Sequence, residues 1–154
     1  MHNNFFFKNK GPFSIKKIVE TSGAKVHSGL DSNIKIHNII DLFRAKENDI
    51  TFLNSTRYKE KSLKSKATAC ITNKALTKYL PKNCLKIIVD NVLLSAAKVS
   101  KLFYPESDFD HLDQTLISSE QIKDKYVDVK FGKNVLIGDN VQIGNNTVIG
   151  NNST

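Results

Sequence analysis

Four histidines and two cysteines are the side chains in this sequence best suited to moving a proton or attacking a carbonyl near neutral pH. Histidine fits a general base because its unperturbed pKa lies near neutrality. His2 falls in a polar lead (MHNNFFFKNKGPF), His27 and His37 in the first third of the chain, and His111 in a polar stretch further on. All four read as surface or partly packed histidines, and no catalytic residue is assigned. Cys70 and Cys84 form no CxxC pair and have no neighbouring histidine to complete a zinc pattern. Cys70 lies in the apolar run ATACIT, so a buried free thiol is expected. Two thiols without a disulfide framework suit a reducing cytoplasm. Neither GxGxxG nor GxxxxGK[ST] occurs, so no phosphate-cradling loop is implied; no metal site is visible, and no organic cofactor is assigned.

The remaining polar chemistry is basic. Lys59, Lys61, Lys64 and Lys66 follow the segment Phe52 to Tyr58 and could face a diphosphate, although a solvated helix face is the simpler reading. By its position alone, Phe52 is a core aromatic closing a strand. The net charge of +8 comes from 23 basic and 15 acidic residues, most of the basic ones lysine. Clustered arginines interleaved with aromatics are missing, which argues against nucleic acid. An acidic protein or a phosphorylated ligand suits such a surface better. No run approaches the roughly 18 apolar residues of a membrane span, and three phenylalanines near the N-terminus do not make a secretory signal.

The elements that would position these groups can be read in order. Ser14 can cap a helix carrying Ile15, Ile18 and Val19 on one face and ending at Gly23. An extended piece is expected at Ala24 to His27 before a Ser28-Gly29 turn, a strand at Ile34 to Ile36, and one helical turn at Asp41 to Ala45. Ile50 to Leu53 reads as a strand, Asn54 to Thr56 as a loop and Tyr58 to Lys66 as a basic helix. Ala67 to Thr72 and Lys86 to Asp90 are apolar runs fit for buried strands, with a short helix at Ala75 to Leu80 between them. Val92 to Phe103 has the spacing of an amphipathic helix, closed by Pro105. This is an α/β (α+β) domain over residues 1–105. Residues 106–124 lose all periodicity and read as a linker.

From Phe131 onward the chain divides into hexapeptides: FGKNVL, IGDNVQ, IGNNTV and IGNNST. Position one is Phe131, Ile137, Ile143 and Ile149, position two is glycine, and position four is asparagine. The segment Lys125 to Lys130 aligns as a degenerate first hexad, so the repeat occupies 125–154. Two inward apolar groups per hexad make one short strand. Glycine and asparagine fall where the chain must bend, since both accept positive φ. Three hexads then close one triangular coil, and successive coils pair as parallel strands about 4.8 Å apart. The hexads carry no His, Cys or Glu, so the repeat is a scaffold.

These repeats resemble the hexapeptide acyltransferases, whose coils form a left-handed parallel β-helix. The run NDITFLNSTRYKEKSLKSKATACIT (Asn48 to Thr72) is similar to the uridine-binding domain of the UDP-3-O-(3-hydroxyacyl)glucosamine N-acyltransferases of lipid A biosynthesis. The order of the two domains is more specific than any short motif. The resemblance implies that Phe52 and Tyr58 clamp a uracil ring by stacking. That family places an asparagine three residues after the phenylalanine to pair with the base edge. Here Ser55 stands there, with Asn54 one place early, so both are candidate polar contacts. The resemblance further implies transfer of a 3-hydroxyacyl chain from acyl carrier protein to the 2-amine of UDP-3-O-acylglucosamine, in a cytoplasmic homotrimer. The family's histidine base has no counterpart in these hexads. The chain is therefore expected to be a truncated, inactive stretch of such an enzyme. The alternatives are a UDP-sugar-binding module like the first domain of the Mur ligases, or a coenzyme-A-dependent sugar acetyltransferase.

Overall fold

Ser14 Oγ accepts a hydrogen bond from the Lys17 backbone N–H, and Gly23 takes a left-handed φ of 76°. Between these two caps runs the first helix. The computed structural model describes residues 7–24, 33–107 and 112–154, in two units, Met1–Phe109 and Asp110–Thr154. The first unit contains β1 (Phe13–Ser14), α1 (Ile15–Ser22), β2 (Lys35–Ile36), β3 (Asn38–Ile39), β4 (Asp49–Leu53), α2 (Lys59–Ser62), β5 (Ala69–Thr72), β6 (Leu85–Ile88) and α3 (Val92–Phe103). Strands β3, β4, β5 and β6 form a parallel sheet in that order, and β1 pairs antiparallel with β2.

Alternation along the central strands feeds two cores. Ile50, Ala69, Ile71 and Ile87 pack with Ile15, Ile18 and Val19 of α1 and Val92, Ala96, Val99 and Phe103 of α3. Leu53 and Cys70 join Leu42, Leu76, Leu80 and Cys84 in a second cluster. A sheet covered on both faces explains why its strands read as continuous apolar runs. Ser95 Oγ donates to the Ser22 carbonyl at 2.7 Å, so the two helices share a satisfied buried polar contact. The basic helix expected at Tyr58 to Lys66 is shorter. A 3-10 turn at Thr56–Tyr58 precedes α2, and a second 3-10 segment occupies Lys74–Tyr79. The expected extended piece and the Ser28-Gly29 turn fall almost wholly outside the described residues.

In the second unit, β8 (Lys130–Phe131) pairs parallel with β10 (Val148–Ile149), in the register Lys130 to Val148 and Phe131 to Ile149. That offset is three hexads, as a coil of three short walls requires. Asn134 Nδ2 donates to Asn152 Oδ1 at 3.1 Å across the same offset. The corners need restating. Positive φ falls on Asp128, Asn134, Asn140, Asn146 and Asn152, whereas none of the repeat glycines has it. Asparagine turns the chain, and Asp128 does the same in the degenerate hexad. At two positions glycine serves close approach: a Cβ on Gly132 would lie 2.6 Å from the Asn151 backbone nitrogen and one on Gly138 2.5 Å from Asp113 Oδ2, whereas Gly144 and Gly150 face open space. Val135 and Ile137 are buried, while Val141 and Val148 are exposed.

The aperiodic stretch before the repeats carries structure of its own. Strand β7 (Ile117–Ser118) pairs antiparallel with β9 (Leu136–Ile137), followed by the short helix α4 (Ser119–Ile122). Two-residue strands leave no period to read, which is why composition alone suggested a linker.

Candidate functional site

Ligands in open parallel sheets gather beyond the carboxyl ends of the strands, and β4 delivers its aromatic there. Phe52 is the penultimate residue of β4, in register with Ile71, and is 37% exposed. Asn54 and Ser55 follow in the loop, and Tyr58, 42% exposed, closes the 3-10 turn. All four expected site residues therefore border one short loop. Their polar members differ. Ser55 Oγ accepts from the Arg57 backbone N–H at 3.2 Å and its carbonyl accepts from Tyr58 N–H at 3.3 Å, so Ser55 builds the turn. Asn54 is exposed, and among the described residues its amide has no partner. Among the described residues Asn54 thus has both its donor and its acceptor free for a base edge, whereas Ser55 Oγ already accepts one bond within the turn. Tyr58 also meets a ring that the sequence did not flag, Phe43, at 6.0 Å between centroids.

The lysines after Tyr58 are largely on the surface: Lys59, Lys61, Lys64 and Lys66 are all exposed. His37 is exposed, and the other three histidines lie outside the described residues. Among the described residues no cluster of His, Cys, Asp or Glu could hold a metal, and no helix is long and apolar enough to cross a membrane.

Both cysteines are buried free thiols. Burial raises the Cys70 pKa far above the thiol range, with Cys84 adding to the effect, and pushes Cys84 up to about 11 against the nearby positive charge of Lys86. Thiolate chemistry is therefore suppressed in the folded state. Because the folded thiols keep their protons to higher pH than the unfolded ones, their contribution to stability is constant below the ordinary value of 9.0 and falls as pH rises towards 11. The slope is at most about 1.4 kcal/mol per pH unit per thiol. Urea unfolding between pH 8 and 10.5 should show a steeper loss in the native sequence than in a Cys70→Ala, Cys84→Ala variant. Equal slopes would contradict it.

Comparison with known proteins places this arrangement. Residues 33–102, which contain every candidate site residue, match the family model for UDP-3-O-(3-hydroxymyristoyl) glucosamine N-acyltransferase, LpxD. Residues 128–154 match the bacterial transferase hexapeptide repeat. Both matched stretches are similar to the UDP-3-O-acylglucosamine N-acyltransferases. It is 36% identical over 91 residues to the UDP-3-O-acylglucosamine N-acyltransferase of Ruthia magnifica, covering 59% of this chain and 26% of that protein. It is 32% identical over 109 residues to the Rickettsia typhi enzyme of the same name, covering 68% and 30%. A Legionella pneumophila (strain Paris) relative, UDP-3-O-acylglucosamine N-acyltransferase 2, is 26% identical over 105 residues, covering 68% and 31%. The chain thus spans between a quarter and a third of the length of these relatives, and corresponds to the N-terminal portion of the family.

Proposed function

We propose that this chain supplies the nucleotide-sugar-binding unit and the opening coils of a lipid A N-acyltransferase. The whole enzyme moves a 3-hydroxyacyl chain from acyl carrier protein to the 2-amine of UDP-3-O-acylglucosamine. In that reaction the amine attacks the thioester carbonyl, the thiol of the carrier leaves, and a base removes the amine proton. No hexad here carries His, Cys or Glu, so acyl transfer is assigned to the whole enzyme and not to these residues. On this proposal residues 1–105 bind uridine, the coils from 125 onward wind left-handed, and the enzyme is a cytoplasmic homotrimer. The observation that carries the reading is the loop after β4, where Phe52 and Tyr58 stand exposed on either side of Asn54, whose amide has no partner among the described residues, inside the segment matched by the family model.

The hexapeptide repeat in the same chain favours an acyltransferase over a stand-alone UDP-sugar module. The nucleotide reading is checked by calorimetric titration with UDP, CDP and ADP. One or two hydrogen bonds to the uracil edge are worth roughly tenfold in affinity, so UDP should bind about tenfold tighter than CDP. ADP should be weaker still. Equal affinities for all three would remove uracil recognition from this loop.

A further inference from the structure

A single exposed phenylalanine needs no explanation, but three features converge on Phe43, which is 55% exposed. The first is a pinned loop. Leu42 and Ala45 are buried on either side of the ring-bearing segment. Asp41 Oδ1 accepts from the backbone N–H of Phe43 at 3.0 Å and of Arg44 at 3.2 Å, and the Asp41 carbonyl accepts from Ala45 N–H at 3.0 Å. Partial burial acts to raise the Asp41 pKa, yet hydrogen bonds from the Arg44 side chain and from these two amides outweigh it and hold the carboxyl below its ordinary range. The second feature is the edge-to-face contact with Tyr58, at 6.0 Å and 68°. The third is Lys61, whose Nζ lies 4.3 Å from the Phe43 ring centroid. Tyr58 and Lys61 are three residues apart in consecutive helical turns, the spacing that puts two side chains on one face.

We propose that Phe43 is a positioning residue of the nucleoside-diphosphate site, fixing the plane of the Tyr58 ring and keeping the Lys61 ammonium beside it. The inference rests on the uracil-stacking reading above. Edge-to-face contact has a preferred geometry, and a cation over an aromatic face is held by the ring quadrupole. One ring therefore orders both a stacking wall and a positive charge, the two groups that a base and its diphosphate need side by side. Lysine has many rotamers and tyrosine two torsions, so the gain is in preorganisation.

UDP and uridine titrations of this chain separate the possibilities. Phe43→Ala should weaken UDP about three- to tenfold without changing the melting temperature. Phe43→Tyr, which keeps the ring, should bind UDP as the native sequence does, whereas Phe43→Leu should behave like alanine. In a Tyr58→Ala, Lys61→Met background, Phe43→Ala should add less than about twofold, since coupled residues do not act additively. Lys61→Met should weaken UDP more than uridine. Native UDP affinity in Phe43→Ala beside a weakened Tyr58→Ala would overturn the inference alone. A Tyr58→Ala chain that binds UDP normally would overturn the stacking reading and the inference with it.

Discussion

Gly132→Val should break the pairing of β8 with β10, while Gly144→Ala should leave it intact. A Cβ at position 132 would meet the Asn151 backbone nitrogen and Oδ1 at 2.6 Å each and the Gly150 carbonyl carbon at 2.7 Å, whereas at 144 nothing lies within 4 Å. Two of the three atoms at 132 are main chain and cannot rotate away. Overpacking of this kind costs about 1–3 kcal/mol and sometimes more; valine, branched at Cβ, belongs at the upper end. Three bonds sit on that contact: Gly132 N–H to Ile149 O, Lys133 N–H to Asn151 Oδ1, and Asn152 N–H to Lys133 O. Amide exchange at residues 130–133 and 149–152 is the measurement. Faster exchange is expected in Gly132→Val, and none beyond the native rate in Gly144→Ala. The converse pattern holds at the corners. Asn134 has φ 56°, so Asn134→Gly should be tolerated, and Asn134→Ala should cost about 1 kcal/mol for a left-handed residue without a short polar side chain. Unaltered exchange in Gly132→Val would mean that the coils do not approach as described.

That contrast marks where the sequence was informative. A period of six showed the repeat, and the 18-residue register of Phe131 on Ile149 is what three hexads per coil require. It did not show which member of the Gly–Asn pair turns the chain, because both residue types accept positive φ and only backbone geometry separates them. In the first unit, α1 and α3 were legible because Ser14, Gly23 and the apolar spacing of Val92 to Phe103 all point the same way. The strands β4, β5 and β6 were legible as apolar runs. The turn at Thr56–Tyr58 straddled the expected loop and the expected basic helix, and the 3-10 segment at Lys74–Tyr79 was read as a short helix, since six residues carry too little period to separate the two. Strand β7 was invisible for the same reason: Ile117 and Ser118 find their partners in Ile137 and Leu136, far along the chain. Of the candidate site, Phe52, Asn54, Ser55 and Tyr58 could be named from resemblance. That Ser55 Oγ is engaged in the turn while the Asn54 amide has no partner among the described residues needed the turn geometry. Phe43 had no signal at all beyond being an aromatic in a short polar-flanked loop (DLFRA).

The largest effect on ligand binding is expected from removing both stacking rings. Phe52→Ala and Tyr58→Ala should each weaken UDP by about tenfold, and the double variant by a hundredfold or more, because stacking a base on an aromatic ring is worth roughly 1–3 kcal/mol per contact. Folding should suffer little, because both rings are more than a third exposed and neither belongs to the buried clusters. Asn54→Ala should weaken UDP while leaving the turn intact, since its amide has no partner among the described residues. Ser55→Ala acts by a different route. It frees the Arg57 N–H that Ser55 Oγ now satisfies, loosens the 3-10 turn and misplaces Tyr58, so its effect should vanish in a Tyr58→Ala background. These four variants thus distinguish a ring that stacks, an amide that reads the base and a hydroxyl that only shapes the loop. If Phe52→Ala and Tyr58→Ala both bind UDP as the native sequence does, the loop after β4 is not the nucleotide site, whatever the family of the chain.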